Sequence, residues 1–375
     1  MRIIFAGSPA IAVPCLESLA VLALESAGGA ASGSGGSADG EAGGSTDGPA
    51  NGKTRGEAGG PAGDLDDSTG DFPGGLELAG LLTNPDSPRG RHGRPEPTEL
   101  AAAAAALAPR FREAGLKAPV IMKPEKLGPR ARREAAALEP DLLVSFAYGK
   151  IFGPKFLGLF PLGGLNIHPS LLPAYRGPAP IPQAILNRDR ETGITVQRLA
   201  LEMDRGDILA QESFPLGGAE TAASLGAEMA RRAARLLPQA LRALARGTAA
   251  ARPQDNGGAS YCRLLSREDG RIIWDKGALD IEAQIRAFTP WPLSWTLDQG
   301  RPLYILAASV SAGGPEPGGE AAPGTVLGVD RKRGILIQTG DGVLAVSLLQ
   351  YSTKKALDWR AFLNGVRDFS GRRLG

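Results

Sequence analysis

Among 375 residues there are only two cysteines, Cys15 and Cys262, and two histidines, His92 and His168. Two distant cysteines exclude a disulfide framework and a cysteine-based zinc site, and they suit a reducing compartment. Any chemistry that needs a near-neutral acid or base from imidazole has just two places to occur. Long apolar runs are scarce too. Met1–Gly7 is basic and then apolar, but Gly7-Ser8-Pro9 breaks the run at strand length, and Glu17 and Glu25 punctuate the next stretch. Neither a signal peptide nor a membrane span is expected, and the cytoplasm is the expected location. No Gly-x-Gly-x-x-Gly follows the first strand-like run, so a dinucleotide is not implied. Charge of one sign is nearly absent in sum: 42 basic against 40 acidic side chains, a net of +2.

Glycine, in contrast, is abundant: 52 residues, about twice the usual share of roughly 7%. Seventeen of them fall in residues 26–75, together with eight acidic residues, Lys53 and Arg55, a net of −6. Leu65 and Phe72 are the large apolar residues there. Such a segment buries too little apolar surface to offset its ordering entropy, so it reads as a disordered insertion. Without it the chain carries +8 (+2 minus −6). The average charge thus mixes an acidic tether with a basic core.

Ile3–Ala6 reads as a buried strand that turns at Gly7-Ser8-Pro9 into a helix to about Leu24. Strand-like runs at Leu78–Thr83, Val120–Met122, Leu142–Phe146 and Gly164–Ile167 alternate with helical stretches, one of them capped by Thr98. That alternation predicts an α/β fold with a largely parallel sheet. Residues 85–95 read as a loop from their proline and glycine content. A helix over about Ala223–Ala245 is followed by a polar stretch, 247–260, expected to be a linker. From Leu303 onward, short β-like runs at Leu303–Ala308, Gly324–Val329, Gly334–Gln338 and Val343–Leu349 predict a small barrel or sandwich.

The chemistry concentrates in Asn166-Ile167-His168-Pro169-Ser170-Leu171-Leu172-Pro173. Asn166 and His168 are two apart on a strand, so their side chains share a face, at the strand end where α/β folds place ligands. An amide and an imidazole together could hold a developing oxyanion. Asp204, 36 residues after His168 in a Gly-containing turn, is placed to orient the ring and raise its pKa. No serine or cysteine nucleophile is placed by motif, which favours direct transfer to an external amine over an acyl-enzyme. Spacing alone equally allows a hydrogen-bonded strand-end histidine and an ordinary turn aspartate.

The wording of the motif goes further. Asn-x-His with Pro-Ser-Leu-Leu-Pro and the later aspartate resembles the 10-formyltetrahydrofolate-dependent formyltransferases. Arg2–Pro9, Thr83–Arg91, Ala147-Tyr148-Gly149, Tyr175–Ile181, Glu191–Thr195, Ile285–Pro292 and Thr339–Gly342 are similar to the branch that acts on methionyl-tRNA. The likeness spans nearly the whole chain except about 26–75. It implies a Rossmann-like formyltransferase domain (1–246), a linker (247–260) and a C-terminal OB-like tRNA-binding domain (261–375).

The resemblance implies 10-formyltetrahydrofolate as formyl donor, initiator methionyl-tRNA as acceptor, no metal, no membrane and a monomer. Asn166 and a protonated His168 would stabilise the oxyanion, and Asp204 would keep the ring charged. Ser170, Leu171, Leu172 and Pro173 match the folate-contacting loop, with Ala147-Tyr148-Gly149 as another wall. Arg89, Arg91 and Arg94 match a basic loop that enters the tRNA acceptor end, although Gly93-Arg94-Pro95 replaces the usual lysines. Lys354 and Lys355 match a Gly-Lys-Lys in which Thr353 stands for the glycine. They belong to a stretch, 326–375, with nine basic and four acidic residues. Pro169 departs from the glycine common after the histidine. The same core also serves sugar-nucleotide N-formyltransferases and a formyltetrahydrofolate hydrolase, and a non-catalytic RNA-binding module is the alternative outside enzymes. The arginine loop and basic C-terminal region favour tRNA.

Overall fold

The computed structural model describes residues 1–32, 72–89, 93–311 and 321–375. Two sheets, each with its own apolar core, carry the architecture.

The first half alternates strand and helix as its apolar runs predict. Strand β1 (Arg2–Gly7) is all but completely buried and leads through a short 3₁₀ turn into α1 (Val13–Ser32). The helix continues beyond Leu24, well into the window expected to be disordered, and at its other end Phe72 and Leu76 are buried in the core. The rest of that window, 33–71, lies outside the described residues. Within the described residues, Ala10–Ala27 is long and apolar enough to cross a membrane, which run-counting did not anticipate because glutamates interrupt it. Here its Cys15, Leu16, Leu19 and Leu22 are buried against the core that also holds Leu237 and Leu241.

There follow β2 (Glu77–Leu82), a two-stranded hairpin of β3 (Ser87–Arg89) and β4 (Arg94–Glu96), and α2 (Glu99–Glu113), whose N-terminus is capped by the Thr98 hydroxyl accepting from the Ala101 N–H at 3.1 Å. The hairpin corrects the expectation of plain loop across 85–95. Its strands are joined by cross-strand bonds, with Arg89 opposite Arg94. Next come β5 (Val120–Met122), α3 (Pro129–Ala136), β6 (Leu142–Phe146), α4 (Pro154–Leu157), β7 (Gly164–His168), α5 (Pro180–Leu186), β8 (Glu191–Arg198), β9 (Ile208–Pro215) and α6 (Ala222–Ala245).

The seven strands are ordered β5-β2-β1-β6-β7-β8-β9. From β5 to β7 they run parallel; β8 and β9 are antiparallel. Strand β7 is therefore the border between a doubly covered parallel half and an antiparallel flap. The sheet is mixed rather than largely parallel at that edge.

Residues 247–260, expected as a linker, join the two halves while bonding to the first. Ile208 and Arg252 exchange backbone hydrogen bonds at 2.8 and 2.9 Å, and Arg176 and Cys262 are tied across by 2.8 Å. Beyond them, α7 (Ala278–Ala287) packs on α5 and on β11. Strands β10 (Ser294–Asp298), β11 (Arg301–Val310), β12 (Val326–Asp330), β13 (Gly334–Gln338), β14 (Val343–Tyr351) and β15 (Leu357–Asp358) form an antiparallel sheet, and α8 (Trp359–Gly365) covers it with Phe362. The tail stitches the two edge strands: Val326 N–H donates to Arg372 O, and Gly375 N–H to Leu297 O. Those edges are thereby covered.

Candidate active site

Strand β7 delivers Asn166 and His168 to one face, as the period of two requires. Its antiparallel neighbour sets Gln197 opposite Asn166 and Thr195 opposite His168. The loop after β8 then returns Asp204 to the same place.

Asp204 is the centre of the constellation. Its Oδ1 accepts from Gln197 Nε2 at 3.0 Å and Asn166 Nδ2 at 3.3 Å, and lies 3.6 Å from His168 Nδ1. Its Oδ2 accepts from the Gly177 N–H at 2.8 Å. The Asp204 backbone is left-handed (φ 54), a conformation that aspartate tolerates better than most residues. Gln254 holds it there, donating from Nε2 to Asp204 O at 2.8 Å and Gly206 O at 2.7 Å. Gly177 itself must be glycine: its φ is 115, and a Cβ would stand 2.2 Å from Cys262 O.

His168 is buried, 4% exposed. Nε2 lies 2.9 Å from Tyr175 O. A carbonyl only accepts, so Nε2 carries the proton and Nδ1 turns its lone pair toward Asp204. Burial pulls the ring's pKa below the ordinary imidazole value, overcoming the opposite pull of the Asp204 carboxylate and the Tyr175 carbonyl. This reverses the expected shift. Burial thus favours the neutral ring, and a proton arriving at Nδ1 would lie against a carboxylate.

The Ser170–Pro173 segment follows directly. Ser170 Oγ donates to Ala174 O at 2.6 Å, Thr195 Oγ1 donates to Ser170 O at 2.7 Å, and Gln211 Nε2 donates to Leu172 O at 3.0 Å. Leu171 and Pro173 remain partly exposed. Ala147 and Gly149, at the end of neighbouring β6, both adopt positive φ, 52 and 80. Between them Tyr148 is buried, and among the described residues its hydroxyl has no hydrogen-bond partner.

Sequence reasoning missed the supports: Gln197, Gly177, Arg176 and Gln254. Arg176 is 1% exposed, with Nε and Nη2 donating to Gln254 Oε1 at 3.0 and 2.7 Å and Nη2 to Asn256 Oδ1 at 2.9 Å. The residues 175–177 stand inside a stretch that carried the family likeness, and strand pairing alone would have placed Gln197. No local signal marked Gln254.

The basic candidates lie elsewhere. Arg94 is exposed on β4; Arg89 is on β3, and Arg91 lies outside the described residues, as does His92. Lys354 and Lys355 are exposed and line a cavity of about 340 Å³ with Arg301, Tyr351 and Phe362. Thr353 takes φ 67, so the turn is kept without glycine. Both cysteines are unpaired and buried. Among the described residues no three His, Cys, Asp or Glu side chains gather as a metal site would need.

With that geometry in hand, the likeness to known proteins is specific. Residues 70–241 match the model of the formyl transferase family, and 264–367 match that of the formyl transferase C-terminal domain. A curated methionyl-tRNA formyltransferase of Treponema denticola is 48% identical over 296 residues, covering 78% of this chain and 91% of that protein. Among solved structures, an N-formyltransferase from Helicobacter canadensis, in complex with folinic acid and dTDP-3-aminofucose, superposes with a TM-score of 0.56 at 18% identity, over 92% of this chain and 99% of that one. HypX from Aquifex aeolicus in complex with tetrahydrofolic acid reaches 0.52 at 19% identity, over 71% of this chain and 45% of that one. These two likenesses concern the fold.

Proposed function

The chain belongs to the methionyl-tRNA formyltransferase family, and on that premise we propose that it moves the formyl group of 10-formyltetrahydrofolate to the α-amine of initiator methionyl-tRNA. The observation that carries the reading is the Asp204 carboxylate, met by Asn166, Gln197 and Gly177 and set 3.6 Å from a buried His168.

In this reading the neutral amine attacks the formyl carbon and a C–N bond forms. The second Asn166 N–H faces the oxygen that becomes negative. The amine nitrogen, now positive, gives its proton to the His168–Asp204 pair, directly or through water. The bond from the formyl carbon to N10 of the folate then breaks, and the pair returns the proton to N10. Atoms and charge balance without a metal.

We place the flat heterocycle of the folate beside the ends of β6 and β7. The walls there are the Ala147-Tyr148-Gly149 turn and the tied-down Ser170, Leu171, Leu172 and Pro173. Folate ligands named in two neighbours of the same fold support a folate as the ligand. We assign residues 1–246 to folate binding and catalysis and 261–375 to tRNA binding. Arg89, Arg91, Arg94, Lys354 and Lys355 would meet tRNA phosphates. The enzyme would work in the cytoplasm as a monomer.

One assay tests the reading: incubation with labelled 10-formyltetrahydrofolate and methionyl-tRNA. Label in formyl-methionyl-tRNA is expected. Formate alone would indicate a hydrolase, and absence of reaction would contradict a transferase acting on this acceptor.

A further inference from the structure

An aminoacyl-tRNA carries its amino acid on a terminal adenosine. If this chain formylates methionyl-tRNA, as proposed above and as this inference requires, that adenine must lie next to the His168–Asp204 pair. The large aromatics exposed among the described residues are Tyr261, 63% exposed, and Trp291, 55% exposed. Trp291 stands in the loop after α7. Tyr261 belongs to a segment fastened to the active-site loop: Tyr175 N–H donates to Ser260 Oγ at 2.9 Å, Arg176 N–H to Ser260 O at 2.9 Å, and Cys262 N–H to Arg176 O at 2.8 Å. Residues 175 and 177 are the ones that bind His168 Nε2 and Asp204 Oδ2.

The Tyr261 ring is held as well as exposed. Its hydroxyl accepts from Arg176 Nη1 at 3.1 Å, and the Arg176 guanidinium carbon is 5.8 Å from the ring centroid. The bond from Arg176, with the nearby charge of Arg205, the residue after Asp204, draws the phenol below its usual pKa. The hydroxyl is tied to Arg176 while the residue stays largely exposed, which leaves ring surface open to a ligand. None of the hydrogen-bond acceptors of Arg176 (Gln254, Asn256 and Tyr261) is a carboxylate, so a buried cation is kept for orienting neutral groups. An exposed aromatic whose rotamer is already fixed loses little entropy when a base stacks on it.

We infer that Tyr261 is the stacking platform for the terminal adenine of the aminoacyl-tRNA, and that Arg176 holds its ring at the rim of the catalytic pair. Stacking on an aromatic side chain contributes roughly a 5- to 150-fold gain in affinity.

The test combines Tyr261→Ala and Tyr261→Phe with two competitors, deacylated tRNA with and without its terminal adenosine. Wild-type enzyme should bind the complete tRNA about tenfold more tightly than the shortened one, and Tyr261→Ala should erase that difference. The same variant should raise KM for methionyl-tRNA about tenfold while KM for 10-formyltetrahydrofolate moves less than twofold. Tyr261→Phe, which keeps the ring, should stay within about threefold of wild type. Equal binding of the two competitors by wild type would overturn the inference. So would a Tyr261→Ala enzyme that still distinguishes them, or a Tyr261→Phe enzyme as impaired as Tyr261→Ala. Wild-type enzyme that binds tRNA but never formylates methionyl-tRNA would overturn the parent reading along with this one.

Discussion

Around Asp204 each carboxylate oxygen and the backbone carbonyl has a named donor, and the ring beside it is buried. Around Lys354 and Lys355 the charges stand in solvent, on a turn at the open end of a cavity. The first region is arranged so that one proton can move between fixed neighbours. The second can only attract, and water and salt weaken it. Substitutions in the first should therefore be large, local and insensitive to salt. Those in the second should be small, shared among residues and strongly dependent on salt.

The largest effect should come from His168→Ala, which removes the proposed proton acceptor. Turnover is expected to fall by roughly 10²–10⁴-fold, with a thermal midpoint close to that of wild type; a variant with near-normal turnover would break the contrast. Gln254→Ala comes next. It deprives Arg176 of an acceptor and Asp204 of its backbone anchor, so a stability loss of about 1–3 kcal/mol is expected in denaturant unfolding. A fall in kcat larger than the rise in either KM would mark Gln254 as a positioning residue.

The pH dependence of stability sharpens the same point. His168 is pulled below its ordinary value on folding, so between about 6.5 and that lower value the unfolded chain binds more protons than the folded one. Its stabilising contribution is complete above about pH 6.5 and is lost as pH falls through that window. His168→Gln should accordingly lose stability less steeply than wild type on acidification below about pH 6.5, read from urea midpoints. An identical slope would mean the ring is not held neutral.

Much of this was legible in the chain. The alternation of apolar strands with helices named the α/β half, and the two-residue spacing of Asn166 and His168 put them on one face because a strand has a period of two. Thr98 announced its helix, since its hydroxyl supplies a partner that the first turn lacks. What could not be read arises from contacts between distant segments. Gln254 stands in a stretch with no apolar periodicity, so it looked like a linker, yet it reaches back 50 residues to hold Asp204. The sign of the His168 shift was misjudged for a related reason. A neighbouring carboxylate is visible in a sequence pattern, whereas burial is a property of the fold. Strand β10 was also missed, because Ser294-Trp295-Thr296-Leu297-Asp298 follows a proline-rich loop and contains few purely aliphatic residues.

The smallest effect completes the comparison and supplies its most direct test. Single-turnover formylation of methionyl-tRNA should be measured for Asp204→Asn and for the double variant Lys354→Ala/Lys355→Ala, at saturating tRNA and across a salt series. The account predicts that Asp204→Asn remains at least about 100-fold slow at every salt concentration. It predicts that the lysine variant approaches wild-type rate at saturation, shows a KM raised a few-fold, and depends less steeply on salt, by about one power of salt concentration for each phosphate no longer neutralised. An Asp204→Asn enzyme rescued by more tRNA, or a lysine variant slow at saturation and indifferent to salt, would contradict the division between a buried centre that reacts and an exposed surface that recruits.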